Sequence, residues 1–354
     1  MGGSEEEKGS AGPERVWARV PRGAYAEWLE GWSLMRELKA IPLDEIRAAR
    51  ERIAGTGADS PLVRLNLEDV PAEIYLKLEN LQPIGSFKLR GAGNVLQLAD
   101  REELRKGVWT ASAGNMAQGV AWYARQMGLE CTIVVPDHAP ETKLEAIRRL
   151  GGEIVKVPVA DWFQILRDHG YRGMEGFFIH PVSNRHVIAG HGTIGLEILE
   201  QLPDVDAVVV PYGGGALSSG IASAIRPQSA DVKIYAAEVD TAAPLAPSLA
   251  AGRPVEVEYR STFVDGMGAP FLLPEMWPLV SQLLDGSIVV SLEEIAGAIR
   301  LLVERNRVVA EGAGAAPVAA ALTGKAGEGK VVCIVSGGNI DTEKLVTILQ
   351  GQIP

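Results

Sequence analysis

Hydrophobic and polar positions follow two regimes along this chain. Short runs rich in Val and Ile stand at 108–110, 131–135, 153–157, 207–210, 232–237 and 331–335, and the one at 207–210 is continuously apolar. Between them lie helical stretches, among them 43–54 and the apolar segment from Val120 to Met127. A short, unbroken apolar run reads as a strand buried on both faces. Its repeated alternation with helices predicts an α/β fold of open, parallel-type sheets covered by helices. The run from Ile74 to Glu79 reads as a half-buried strand, and a further strand is expected near Leu62. The segment 107–184 carries its own strands and is expected to be a small mobile domain, with 23–106 and 185–354 forming the large one. Residues 1–22, rich in Gly, Ser, Glu and Pro, are expected to be disordered. Residues 24–39 place Tyr25, Trp28, Trp32, Leu34 and Leu38 on a helix expected to pack on the body or on a partner subunit.

Composition narrows the function classes. A chain of 354 residues with 47% hydrophobic residues suffices for about two domains. The net charge of −11 argues against nucleic acid and anionic membranes as partners. No apolar run is long enough to span a bilayer, and the acidic N-terminus carries no signal-peptide pattern. Cys131 and Cys333 lie in strand-like runs and are expected to be buried free thiols, in keeping with a cytoplasmic protein.

Four motifs carry candidate chemistry. In Gly85-Ser86-Phe87-Lys88-Leu89-Arg90-Gly91 a lysine sits among Gly, Ser and an aromatic ring, with Gly85 and Gly91 bracketing a turn into a helix. Desolvation there would favour the neutral amine, which attacks carbonyls; a side chain that snorkels to solvent is the other reading. Ser112-Ala113-Gly114-Asn115-Met116 opens a helix, either as an anion site of free N–H groups or as an N-cap by Ser112. Pro211-Tyr212-Gly213-Gly214-Gly215-Ala216-Leu217 follows the strand at 207–210 and precedes a helix. Strand, glycine loop, helix is an arrangement that cradles phosphate, although a tight turn needing positive φ also asks for glycine. Finally, the strand at 331–335 ends in Ser336-Gly337-Gly338-Asn339. The Gly324 to Lys330 stretch satisfies G-x-x-x-x-G-K but precedes a strand, so it is a solvated turn and no P-loop.

Together with His191-Gly192-Thr193-Ile194-Gly195 and Glu311-Gly312-Ala313-Gly314-Ala315, these motifs resemble, in family order, the pyridoxal-phosphate (PLP) enzymes of fold type II, the tryptophan-synthase β-like superfamily. The resemblance is greatest to its threonine/serine dehydratase (ammonia-lyase) branch and runs from about residue 42 onward. It implies two open sheets, a large PLP-binding domain and a homodimer acting on a small amino-acid substrate. It implies Lys88 as the Schiff-base lysine and later the base at Cα, with Phe87 packing near the cofactor and Asn115 bonding the ring oxygen. Gly213, Gly214, Gly215, Ala216 and Leu217 would take the phosphate, and Ser336 the pyridine nitrogen. Ser112, Ala113, Gly114, Asn115 and Met116 would hold the substrate. The implied reaction removes water from a β-hydroxy amino acid, giving a 2-oxo acid and ammonia.

The departures matter. Ala113 stands where the branch has a second serine, the opposite-face acid of racemases, so racemisation is disfavoured. Leu89 and Met116 disfavour a β-replacement synthase. Met116 replaces a histidine; facing the substrate, it would suit a bulkier or aromatic side chain. His191 stands for the usual glutamine, and Ala216 for a fourth glycine. Some relatives bind a hard cation after the strand at 232–237. Glu238 fits one ligand position, but Pro244 occupies the other and leaves only Asp240 as a substitute, so no metal is expected. His180, His186 and His191 lack zinc spacing and read as loop and turn residues. The stretch after Asn339 is short, so no C-terminal regulatory domain is expected.

Overall fold

The computed structural model describes residues 38–57 and 59–354. The expected tail at 1–22 lies outside the described residues, as does all but the end of the expected helix at 24–39.

In chain order the elements are α1 (Leu43–Ile53), β1 (Leu62–Arg64), β2 (Glu73–Leu78), α2 (Lys88–Leu98), β3 (Val108–Ala111), α3 (Asn115–Met127), β4 (Cys131–Pro136), α4 (Glu141–Arg149), β5 (Glu153–Val157), α5 (Val159–Asp168), β6 (Phe177–Phe178) and α6 (Arg185–Gln201). Then follow β7 (Ala207–Pro211), α7 (Ala216–Ile225), β8 (Lys233–Val239), α8 (Leu245–Ala251), α9 (Trp277–Leu283), β9 (Gly286–Val290), α10 (Leu292–Leu301), α11 (Gly312–Leu322), β10 (Lys330–Val335) and α12 (Thr342–Leu349). They build two sheets. One has the order β1-β2-β10-β7-β8-β9, the other β5-β4-β3-β6. Among the described strands only the β1–β2 pair is antiparallel. No described helix is long and apolar enough to cross a membrane.

The uninterrupted apolar runs behave as doubly covered strands should, whereas 153–157 forms the edge strand β5 and is buried only at Val157. β7 is buried throughout, and β10 from Val331 onward. The almost wholly apolar α11 packs against β10, β7 and β8. β2 departs from the half-buried expectation. Leu76, Lys77 and Leu78 are all buried, because β2 is flanked by β1 and β10 and covered by helices. Glu79 leaves the strand for a single 3₁₀ turn. The sequence pattern missed β6, only two residues long, and β9.

Buried Lys77 is matched by charge. Lys77 donates to Glu197 at 2.5 Å, and Arg90 bonds both Glu79 (2.7 and 2.8 Å) and Glu197. Two cations and two anions, all essentially inaccessible, thus join β2, α2 and α6. Glycines let these helices meet. Gly91 lies inside α2 instead of closing the turn before it, and it must be small there, since a Cβ would stand 2.6 Å from His191 Nε2. Both His186 and His191 are helical residues of α6, not loop or turn residues.

Topology places the motifs. β2, β10 and β7 are sheet neighbours, so the turns at their carboxyl ends share one edge. From that edge emerge the Lys88 turn, Ser336–Asn339 and the glycine loop. β3 and β6 of the second sheet end at Ser112–Asn115 and at His180–Pro181. Crevices outside the carboxyl ends of parallel strands are where such sheets bind ligands.

Candidate active site

Lys88 is the first residue of α2, after a turn in which Gly85 takes φ +70°. Phe87 N–H donates to the Ser336 carbonyl at 3.0 Å, and Ser86 bridges Gly337, which fixes the turn against the end of β10. The Lys88 amine lies 3.2 Å from the Pro181 carbonyl and 5.1 Å from the centre of the Phe87 ring. Burial pushes this amine down to about 8, with the Glu311 charge opposing the shift. The neutral form is therefore well represented near physiological pH.

Two helix N-termini open beside this lysine. α3 begins at Asn115, with Gly114 at its N-cap and no side-chain cap. Ser112 does not cap it; its hydroxyl accepts the Gly114 N–H at 3.2 Å. The N–H groups of Asn115, Met116 and Ala117 therefore lack intrahelical partners. α3 also packs closely on the lysine, since a Cβ on Gly119 would come within 3.2 Å of the Lys88 carbonyl. α7 begins at Ala216 behind Gly215, which adopts φ +91° and again supplies no side-chain cap. A Cβ on Gly214 would meet Val182 at 2.5 Å, and one on Gly215 would meet Val280 at 2.9 Å. Pro181 and Val182 thus join the lysine to the glycine loop. Both open N-termini suit anions.

Asn115 forms the opposite wall. Its Nδ2 donates to Glu311 Oε1 at 2.8 Å, and its Oδ1 accepts from Asn339 Nδ2 at 2.8 Å. Glu311 is only 6% exposed. Burial, and then the Asp265 charge, push its carboxyl up to about 7, against the opposing effect of Lys143. On the sequence Glu311 belonged to a motif but had no role; an acid just before an apolar helix gives a dipole-partner signal and nothing more. Ser336 sits buried at the end of β10, and the nearby Ser86 Oγ is buried without a hydrogen-bond partner among the described residues. Phe87 meets His191 edge-on at 4.7 Å.

One expectation changes. Met116, expected at the substrate, is 1% exposed and packs in an apolar cluster with Ile84, Leu89 and Val187, because α3 turns this face toward α2. Glu238 accepts the N–H groups of Leu245 and Ala246 at 2.8 Å and the Ser287 hydroxyl at 2.6 Å, so both its oxygens are engaged in capping α8 and joining it to β9. His180 is also committed. Its Nε2–H donates to the Leu166 carbonyl at 3.0 Å, and its Nδ1 accepts from Val182 and Ser183. Burial and the neighbouring His169 push it down to about 3, so it stays neutral. It approaches His169 and Glu275 closely enough to suggest a metal cluster, but His180 itself has no lone pair left for an ion.

With a buried amine between two open helix N-termini, the constellation fits a lysine-bound cofactor carrying a phosphate. The chain belongs to the pyridoxal-phosphate dependent enzyme family, whose model matches residues 53–337. It is 42% identical over 315 residues to an L-threonine ammonia-lyase of Thermotoga maritima, covering 87% of this chain and 78% of that one. It is 38% identical to the catabolic L-threonine dehydratase TdcB of Escherichia coli K12, covering 87% and 96%. Among solved structures, maize serine racemase superposes with a TM-score of 0.79 at 34% identity, covering 88% and 98%.

Proposed function

We propose that the protein is a PLP-dependent ammonia-lyase that eliminates water from L-threonine or L-serine, yielding a 2-oxo acid and ammonia. The observation that carries this reading is the Lys88 amine, poised near neutrality between the open N-termini of α3 and α7. Relatives named as threonine ammonia-lyases, matched over most of the chain, support it.

Bound to Lys88, PLP supplies the electron sink that acidifies the substrate Cα–H. The N–H groups of Gly214 to Leu217 would hold its phosphate at the α7 N-terminus, Phe87 would pack near it and the Ser336 hydroxyl would meet its ring nitrogen. The turn Ser112–Asn115 would hold the substrate carboxylate at the α3 N-terminus. Once released by the incoming amino acid, the Lys88 amine would take the Cα proton. Residues 107–184 would act as the small domain closing on the substrate, in a cytoplasmic homodimer. Since Met116 is a core residue, threonine and serine are preferred here over a bulkier substrate.

Racemisation is the second reading, favoured by the likeness to maize serine racemase. Ala113 weighs against it, having no proton to deliver at the turn that would hold the substrate. The test is to incubate the holoenzyme with L-serine and measure pyruvate and D-serine together. Pyruvate without D-serine supports the lyase; D-serine in excess of pyruvate overturns it.

A further inference from the structure

The amide orientations around Asn115 follow from donors and acceptors alone. Asn339 donates to the Ile84 carbonyl at 2.9 Å, and a carbonyl only accepts, so that end of Asn339 is Nδ2. The same Nδ2 donates to Asn115 at 2.8 Å, so the Asn115 atom facing it is Oδ1. The Asn115 Nδ2 must then face Glu311, 2.8 Å from Oε1. One Nδ2 hydrogen is spent on Glu311 and the second has no partner among the described residues. The Glu311 carboxyl fits between two glycines. A Cβ on Gly337 would stand 2.5 Å from Oε1, and one on Gly266 3.1 Å. The Asn339 N–H also faces this carboxyl, and Asp265, Lys143 and Lys88 surround it as charges. Glu311 sits at the N-cap of α11 yet caps no N–H of that helix.

We propose that Glu311 is a positioning residue: its carboxyl anchors the nitrogen end of the Asn115 amide and so aims the remaining Asn115 N–H at the ring oxygen of PLP. This rests on the proposed function. Asn339 alone fixes which end of the amide is oxygen, but leaves the side chain free to swing; Glu311 stops the swing. A buried carboxyl accepts this bond whether or not it holds a proton, because its Oε1 keeps a lone pair in both forms.

The test is a double-mutant cycle read as PLP affinity, from titration of resolved apoenzyme and the absorbance of bound PLP. E311A is expected to weaken PLP binding about tenfold, the worth of one well-placed hydrogen bond. E311Q keeps an acceptor and is expected to stay within about threefold of the parent. E311D is one methylene too short, about 1.5 Å, and is expected to behave like E311A, which supplies a second variant should the alanine protein fail to fold. In an N115A background E311A is expected to cost nothing further. Additive losses in the cycle, parent-like E311A, or E311Q as weak as E311A would each overturn the role of Glu311. If the parent protein binds no PLP, the proposed function falls with it; if it binds PLP but the cycle is additive, only this inference falls.

Discussion

Glu197→Gln tests the buried charge network that joins β2, α2 and α6 beneath the site. The parent cluster of Lys77, Arg90, Glu79 and Glu197 is neutral overall and inaccessible to water. The substitution leaves one buried positive charge without its counter-charge. Burial opposes ionisation of Glu197, but Arg90 and then Lys77 outweigh it and hold the carboxyl at about 2, against an ordinary 4.5. That difference corresponds to about 3 kcal/mol. Breaking one partner of a buried pair costs roughly 3–5 kcal/mol, in agreement. For a chain of this length the expected fall in Tm is roughly 4–7 °C at pH 7, read by circular dichroism. A lowered carboxyl stabilises the fold above its unfolded value and loses that contribution as pH falls through the folded one. The gap between parent and variant should therefore hold from pH 8 to 5, then shrink by about half by pH 3. A gap below about 1 °C at pH 7, or one that persists unchanged to pH 3, would refute this account of the network.

Further outcomes follow from the geometry. Gly215→Ala places a Cβ at φ +91° and 2.9 Å from Val280, so PLP affinity should drop at least about tenfold, a loss of about 1.4 kcal/mol, by titration of apoenzyme. Capture of PLP by apoenzyme, trapped with borohydride and located by peptide mapping, should rise through about pH 8 at Lys88, since the neutral amine grows above that value; a midpoint near 10 would contradict the buried site. Burial pushes the Cys131 thiol up to about 12 and the Cys333 thiol higher still, so neither should react with a thiol reagent at pH 8 until the protein unfolds.

How much of this was legible depended on range. The glycine loop and the Lys88 turn are local, because a strand that must reverse into a helix around a ligand needs Gly215 where φ is positive and Gly214 where Val182 presses in. Those needs are written in consecutive residues. Parallel strands such as β7 and β10 were equally plain, being apolar without interruption. Met116 was misplaced because its surroundings come from α2 and α6, which its own neighbours in sequence do not specify. The Asn115–Glu311 bond spans 196 residues and Lys77–Glu197 spans 120, so no local pattern marks either partner. Lys77 looked like a half-exposed strand residue because the carboxylate that accepts from it, Glu197, is so far away in sequence. β6 is too short for a period to register, and β9 opens with Gly and Ser.

The most direct test of the central claim is the release of 2-oxobutanoate and ammonia from L-threonine by the PLP-loaded protein, alongside Lys88→Ala. The expected result is equal amounts of the two products from the parent and none above background from the variant. Bound PLP with no 2-oxo acid from L-threonine or L-serine, or undiminished release by Lys88→Ala, would contradict it.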